Sequence, residues 1–428
     1  MVNEEFFDSK AYKRSRSAYI WQCTFEYFVS LLVTDAFLAK LLSNMGISDS
    51  VIGIISSLIS FAFLFQLCTI FVVQKITNVK RISIFFDSLS TLLFMSLYFL
   101  PFLNVSKEAK TAIVIGAITL AYFSKYIVAS IIFKWANSYV DPGKRASYSA
   151  IKEMVSLATG MIFTFVVGYI IDRFEALDNM EGGFVFIAIS IFILSVCNFV
   201  SLILIKGKKE EKTKQVPIKE VLENTFGNKG FRNVVTMSVI QNVAVYMTVG
   251  FLGIYKTKDL LISVGTVQII NIVANGFRFA FSMPIGKYSN RRGFTKGAEL
   301  GFSIMAIAFL SMIFCNKNTW WIVIIYTVLY NVGVAGTNAN MMNIVYSYVK
   351  TDYFVQASAI KNSIGGIVGF LTSLVAGKIL SVIQANGNML FGITVNAQQF
   401  LALVSFVLMT TLVMYIHFVV SKREIMKQ

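Results

Sequence analysis

Long apolar stretches separated by short polar segments run along the whole chain. Unbroken blocks of about 20 apolar residues are typical of bilayer-spanning helices, whereas a membrane β-barrel would show ~10-residue segments of alternating polarity. Since lipid cannot satisfy backbone polar groups, the pattern predicts an all-α integral membrane protein. We predict twelve spans, at 17–42, 50–76, 81–103, 111–139, 147–173, 183–205, 232–256, 262–287, 295–315, 319–348, 354–383 and 397–420.

Charge is scarce, and its distribution predicts the orientation. The chain is 56% hydrophobic and 14% charged, whereas soluble domains are about 25% charged. The net charge of +16 would suggest nucleic acid in a soluble protein. Here, however, Lys and Arg are concentrated in the tails and alternate loops, which places both termini in the cytoplasm. We therefore expect a multi-pass plasma-membrane protein that contacts the lipid bilayer and binds no nucleic acid.

One motif is written twice. "SAIKEMVSLATGM" begins at Ser149 and "SAIKNSIGGIVGF" at Ser358, positions that differ by 209. Behind each copy, small residues recur at every fourth position, which places them on one helix face and lets backbones approach closely in lipid. The two sets are Ser156, Gly160, Thr164 and Gly168, and Gly365, Gly369, Ser373 and Gly377. We infer a duplication, with bundles at 1–205 and 232–428 joined by a cytoplasmic linker at 206–231 that includes a short surface helix at 217–226.

The chain resembles the major facilitator superfamily in its six-plus-six helices and charged central linker. The loop "GKYSNRRGFTK" also resembles the superfamily's G-x-x-x-D-R-x-G-R-R/K motif, with Arg291 matching and Asn290 in place of the Asp. The copy after span 2, "QKITNVKR", departs further. The resemblance implies two pseudo-symmetric six-helix bundles and a central cavity lined mainly by spans 1, 4, 7 and 10, which opens to each side in turn.

Polar residues inside predicted spans are the candidate site, because each is expensive in lipid. In the N-terminal half, Gln22 and Glu26 share one face of span 1, and Asp35 lies further along the same span. We predict that Glu26 and Asp35 take part in proton coupling; alternatively, Glu26 is paired with Lys125. Gln22 in span 1 and Lys125 and Tyr126 in span 4 are predicted to bind substrate, although Lys125 could instead balance Glu26.

The C-terminal half is rich in amides, which suit the hydroxyls and carbonyls of a sugar-like metabolite. Span 8 places four polar residues on one helical face. The predicted substrate-binding residues of this half are Gln241, Asn242, Tyr246, Gln268, Asn271, Asn275, Arg278, Asn331 and Asn338.

Lys152 and Lys361 lie at the heads of spans 5 and 11, where a cation opposes the helix dipole. We predict that they form cytoplasmic gate contacts together with Asn290 and Arg291; the alternative is snorkelling to lipid phosphate.

These features predict a secondary active transporter that moves a small polar solute by proton-coupled alternating access. We expect it to use no cofactor or metal. The alternative is a multidrug or lipid efflux antiporter of the same fold. An enzyme is not expected, because there is one histidine, His417, and no nucleophile elbow or zinc motif. The chain lacks a Walker A loop, so ATP is not the expected driver. We expect a monomer.

Overall fold

The structure is a computed structural model that describes residues 9–65, 67, 78–140, 145–207, 223, 226–349, 354–390 and 393–421. The predicted surface helix at 217–226 lies outside these residues except at Glu223 and Phe226, as does most of the loop after span 2. The described chain is almost entirely helical, which confirms the predicted fold class.

The described chain contains fourteen α-helices of five residues or more and one short hairpin. They are α1 (Lys10–Leu32), α2 (Asp35–Asn44), α3 (Asp49–Ser56), α4 (Leu58–Ala62), α5 (Val79–Leu97), α6 (Lys107–Asn137), α7 (Arg145–Ala176), α8 (Met180–Leu204), α9 (Lys229–Tyr246), α10 (Val264–Arg292), α11 (Phe294–Met312), α12 (Ile322–Tyr348), α13 (Phe354–Ala385), β1 (Met389–Leu390), β2 (Ile393–Thr394) and α14 (Ala397–Tyr415). The two strands pair antiparallel between the last two helices.

Every predicted span falls on helix, at least in its described part. Within the described residues, nine helical stretches are long and apolar enough to cross a membrane. The other three predicted spans correspond to α1–α2, α3–α4 and α5. The first is polar and interrupted, and the second is described only as the shorter apolar stretch Asp49–Phe65. The third carries Lys80, Arg81 and Asp87 within 19 residues.

Two spans are less regular than their apolar patterns indicate. The first helix ends at Leu32, and Asp35 opens α2 with a φ of 47°, a left-handed conformation that ordinary residues rarely adopt. Beyond α9 the chain continues through the turns Val249–Phe251 and Leu252–Ile254 into a π-helical turn, Tyr255–Asp259. An interrupted helix leaves backbone groups that must find partners elsewhere.

Asparagine side chains cap several helix starts and satisfy free backbone N–H groups there. Asn78 accepts from the Arg81 N–H at 3.2 Å before α5. Asn179 accepts from Gly182 at 3.0 Å before α8, and Asn228 accepts from Gly230 at 2.8 Å before α9. The short loops between spans therefore end at defined residues.

The chain forms two compact units, and neither is continuous in sequence. The first contains Met1–Ile47, Phe65–Gln215 and Ser263–Gln268. In it, α1 packs on α7 and α8, and α5 packs on α6 and α8. Its core includes the buried side chains of Tyr19 and Trp135, whose indole donates to the Lys206 carbonyl at 3.0 Å.

The second unit contains Ser48–Leu64, Val216–Ile262 and Ile269–Gln428. In it, α9 packs on α13 and α14, α11 packs on α12 and α14, and α13 packs on α3 and α4. Phe251 is buried among α13 and α14 residues. The predicted domains, 1–205 and 232–428, are defined by the sequence repeat and not by these compact units. They therefore stay a prediction.

The small-residue stripes of spans 5 and 11 are packing faces, as predicted, and they pack alike. A Cβ at Gly160 would lie 2.6 Å from the Tyr27 ring, and a Cβ at Gly369 would lie 2.5 Å from the Tyr246 ring. Each pair joins the first helix of a six-span half to the fifth. This repeated contact agrees with the inferred duplication.

Candidate functional site

A charged cluster lies between α1 and α6 in the first unit. The Lys125 Nζ is 3.0 Å from Glu26 Oε1, and Gln22 Nε2 donates to Glu26 Oε2 at 3.0 Å. The side chains of Lys125 and Glu26 are 19% and 25% exposed. Both carboxylate oxygens therefore have partners. Of the two interpretations of Glu26, the structure contains the ion pair.

The geometry of this cluster leaves binding capacity on the cation. An ammonium group has three donors and no acceptor, and Glu26 is the ion-pair partner of Lys125 among the described residues. A hydroxyl, carbonyl or carboxylate of a ligand can therefore share the Lys125 ammonium with Glu26. Cys23, on the same helix, contacts the Gln22 amide oxygen at 3.5 Å.

The other predicted site residues of the first unit are Tyr126, Asp35 and Lys152, and each has different surroundings. Tyr126 follows Lys125 on α6, and its ring stacks on Tyr122 with centroids 6.1 Å apart. Asp35 lies in the first turn of α2, beyond the break that ends α1. The Lys152 ammonium is 5.1 Å from the centroid of the Tyr19 ring and 5.9 Å from that of Phe133. Lys152 thus makes cation–π contacts that neither predicted role included.

Polar side chains of α9 pack against α13 in the second unit. Asn242 donates to the Ser238 carbonyl at 2.7 Å, and a Cβ at Gly365 would lie 2.7 Å from its amide nitrogen. Tyr246 covers Gly369 in the same way. Gln241 is half-buried. Glycine at these stripe positions makes room for the larger polar side chains.

The predicted polar residues of span 8 all lie on the continuous helix α10, and the boundary between the two units falls after Gln268. Gln268 is 4% exposed and lies in the first unit beside Gly168. Asn271, Asn275 and Arg278 belong to the second unit and are half-buried. Arg278 and Tyr246 both act electrostatically on the Tyr330 hydroxyl.

The α12 amides differ in environment. Asn331 donates to the Thr327 carbonyl at 2.9 Å along its own helix, and Asn338 is exposed. Asn340 is buried and donates to Ser289 Oγ at 2.9 Å and to the Gly336 carbonyl at 2.6 Å.

The predicted gate residues differ in their exposure to solvent. Lys361 is 8% exposed, Arg291 is exposed, and the Asn290 side chain lies outside the described part of the chain.

One buried polar pair of the first unit is missing from the sequence-based candidates. Asp87 on α5 and Asn198 on α8 are 3% and 1% exposed, and the Asn198 amide donates to the Asp87 carboxylate. A carboxylate inside a predicted span was the available signal. Its partner could not be inferred, because the pairing depends on how α5 packs on α8. Among the described residues, no group of three or more His, Cys, Asp or Glu side chains could hold a metal ion.

Apolar helices long enough to cross a membrane, with charged and amide side chains between them, are typical of a polytopic membrane protein. A sequence model of the Major Facilitator Superfamily matches residues 20–373. The chain belongs to this superfamily, and the predicted resemblance is confirmed. Comparison with curated protein sequences finds no match.

Solved structures share the fold at low sequence identity. The chain is 13% identical to the nucleoside transporter NupG, with a TM-score of 0.68 and coverage of 96% of this chain and 98% of that one. It is 15% identical to tetrameric PepTSo2, with a TM-score of 0.65 and coverage of 95% and 96%. A bacterial homologue of the human lysosomal transporter Spinster, in an inward-facing and unoccupied conformation, is 13% identical, with a TM-score of 0.65 and coverage of 96% and 97%. At these identities the likeness establishes the fold alone.

Proposed function

We propose that this protein is a proton-coupled secondary transporter that moves a small polar solute across the plasma membrane by alternating access. The Gln22–Glu26–Lys125 cluster carries the proposal. An unpaired charge at the centre of a membrane helix costs about 3 kcal/mol or more, so a charged pair retained there needs a functional or structural reason. The Lys125 ammonium has N–H donors that Glu26 does not use, and binding a solute through them is a functional reason.

The solute class follows from the chemistry of the candidate side chains. Amides both donate and accept, and they recognise hydroxyl and carbonyl groups in fixed geometry. Gln22 and Gln241 supply amides on the first helix of each half, and Asn271 and Asn275 supply them on α10. Lys125 and Arg278 add cationic donors. A sugar or a similar oxygen-rich metabolite fits this set better than an apolar compound.

Proton coupling uses competition for the Glu26 carboxylate. A proton on Glu26 removes the charge that holds Lys125 and releases the ammonium for the solute. Conversely, a solute that engages Lys125 leaves Glu26 with the Gln22 amide and favours its protonation. Asp35, near the end of the same span, is proposed to pass protons to or from water. The two ligands are thus linked through one cation.

The orientation and gate belong to the same proposal. Both termini face the cytoplasm, the monomer is the working unit, and Lys152, Lys361, Asn290 and Arg291 act at the cytoplasmic gate. Replacing Lys152 and Lys361 together by Met should raise the labelling of cysteines placed behind the gate from the cytoplasmic side. Unchanged labelling would contradict the gate assignment.

The experiment for transport starts from a thermal-shift screen. The panel contains sugars, nucleosides and peptides, the last two chosen because transporters of this fold include a nucleoside transporter and one crystallised with a conjugated peptide. Compounds that stabilise the purified protein are then tested for uptake into proteoliposomes with and without a pH gradient. Uptake that the gradient accelerates supports the proposal. Uptake indifferent to the gradient refutes the coupling.

A second candidate, efflux of drugs or lipids, has one observation in its favour. An apolar crevice of about 460 Å³ lies among α10, α11 and α12 in the second unit. Phe277, Phe281 and Pro284 line it on α10, with Leu300 on α11 and Leu329 on α12. An apolar crevice of this volume can hold an acyl chain or a drug-sized molecule. Stabilisation by such compounds, without stabilisation by polar solutes, would favour efflux.

A further inference from the structure

A second buried carboxylate lies near the Glu26–Lys125 pair in the first unit. Asp87 is 3% exposed, and among the described residues the Asn198 amide is its hydrogen-bond partner. Glu26 on α1 and Lys125 on α6 both act electrostatically on Asp87. Of the two carboxylates, Lys125 makes its ion pair with Glu26. Asp87 thus lies within the field of this pair but outside its ionic contact.

The charges that face Asp87 do not balance if both carboxylates are ionised. From α1 come Glu26 and the neutral thiol-bearing Cys23, and from α6 comes Lys125. The described α8 has no charged side chain after Glu181, which lies at the opposite end from Asn198. On α5 itself, the Lys80 ammonium donates to the Ile203 and Ile205 carbonyls at 2.5 and 2.8 Å. Lys152 on α7 also acts on Glu26, but Lys125 is the cation that acts on Asp87, and Lys125 is paired with Glu26. Asp87 therefore has no counter-charge of its own among the described residues that act on it.

The hydrogen bonding of the Asn198 amide gives independent support for a proton on Asp87. Its nitrogen donates to Asp87, but its buried oxygen has no hydrogen-bond partner in the described structure. An ionised carboxylate can only accept, so it cannot satisfy that oxygen. A carboxylic acid both donates and accepts, and it pairs with a primary amide through two hydrogen bonds. Leaving a buried acceptor unsatisfied costs its desolvation energy, and a protonated Asp87 removes that cost.

We propose that Asp87 is a proton-binding site, closed by Asn198 and protonated while Lys125 is paired with Glu26. The proton forms an O–H bond on the Asp87 carboxyl group and comes from bulk water, so the step requires no other reactant. Lys125 decides which carboxylate stays ionised. When Glu26 loses its charge, Lys125 becomes available to Asp87, and Asp87 releases its proton.

This proposal deepens the proposed function, because it assigns the transported proton a site that Glu26 controls through Lys125. It does not depend on knowing the solute. While Lys125 is paired with Glu26, the proton lies on Asp87. When Glu26 is protonated, as the proposed coupling requires, Lys125 pairs with Asp87 instead. The binding of the proton and the coupling of that proton to solute are separate measurements.

Infrared spectroscopy of the purified full-length protein tests the proton directly. At neutral pH the protein should show the carbonyl band of a buried protonated carboxylic acid, and carbon-13 labelling of aspartate should shift that band. The band should disappear in Asp87→Asn and change frequency in Asn198→Leu. The matched control is Glu181→Gln, an exposed carboxylate on α8, which should leave it unchanged. Glu26→Gln should also remove the band, since it frees Lys125 to ionise Asp87.

Each outcome decides one part of the proposal. A missing band, or a band that survives Asp87→Asn, overturns the proton-binding site. A band that shifts with glutamate labelling instead of aspartate labelling assigns the proton to Glu26 and also overturns it. Retention of the band in Glu26→Gln refutes the control by Lys125. The band and the uptake assay can also give different answers. If the band is specific to Asp87 but no pH gradient affects solute uptake, the proton-binding site is supported and the proposed coupling is refuted. Wild-type labelling needs no variant, so a misfolded Asp87→Asn protein would not prevent the test.

Discussion

The Glu26–Lys125 ion pair offers a quantitative test through removal of the cation. We predict that Lys125→Met destabilises the protein, because it leaves the half-buried Glu26 without its counter-charge. At the observed N–O distance of 3.0 Å, the Coulomb energy in an effective dielectric of about 20 is about 5 kcal/mol. Breaking a buried pair from one side costs about 3–5 kcal/mol. Because the two side chains are 19% and 25% exposed, we expect the low end, about 3 kcal/mol.

A double-mutant cycle separates the pair from the rest of the site. Glu26→Gln combined with Lys125→Met leaves two neutral side chains, so the double variant should lie within about 1 kcal/mol of the wild type. The free energy of unfolding is measured by denaturant titration in detergent micelles. Lys107→Met is the matched control, because Lys107 is an exposed residue at the start of the same helix. Its effect should stay within about 0.5 kcal/mol.

The cycle has a clear opposite result. If Lys125→Met costs no more than Lys107→Met, or if the double variant equals the sum of the single variants, the pair does not stabilise the helices. The description of Glu26 as a residue held by Lys125 would then be wrong. The argument for a proton on Asp87 would lose its charge balance at the same time.

Other predictions concern packing and orientation. A Cβ at Gly301 would lie 2.8 Å from the Gly333 carbonyl oxygen, so Gly301→Ala should destabilise the α11–α12 contact by about 1–3 kcal/mol in the same titration. Gly276 has open space around its Cα, so Gly276→Ala should be neutral or stabilising by up to about 1 kcal/mol; equal losses at both sites would contradict the packing argument. In a cysteine-free background, a cysteine at Gly207 should be labelled only from the cytoplasm and one at Asp178 only from outside. Labelling of Gly207→Cys from outside would contradict the proposed topology.

The helices could be predicted from the sequence because their signal is local. Apolar runs long enough to span a bilayer leave little freedom, and the twelve predicted spans all fall on helix in their described parts. The interruptions were not predicted. Val33 and Thr34 belong to an apolar run, and nothing in that run indicates that Asp35 takes a left-handed φ of 47°. Such a conformation is selected by packing around the break, which composition does not record.

The candidate site could be predicted only in part. Gln22 and Glu26 were recognisable because a four-residue spacing places them on one helix face, and Lys125 was a foreseeable partner as a cation inside a span. The Asp87–Asn198 pair needs the packing of α5 on α8, which joins residues 111 positions apart. The amides of span 8 are a different case. Gln268 and Asn271 lie on the continuous helix α10, so their spacing does place them on one face, but the neighbours that each one meets depend on packing that the sequence does not contain.

Uptake in proteoliposomes under an imposed pH gradient tests the central claim most directly. The assay uses a polar compound that stabilises the purified protein, and it compares the wild type with Glu26→Gln. The account predicts that an acid-outside gradient drives the solute above its equilibrium level in the wild type, and that Glu26→Gln equilibrates the solute without accumulating it. Wild-type uptake that ignores the gradient, or a Glu26→Gln variant that accumulates solute as well as the wild type, would contradict it.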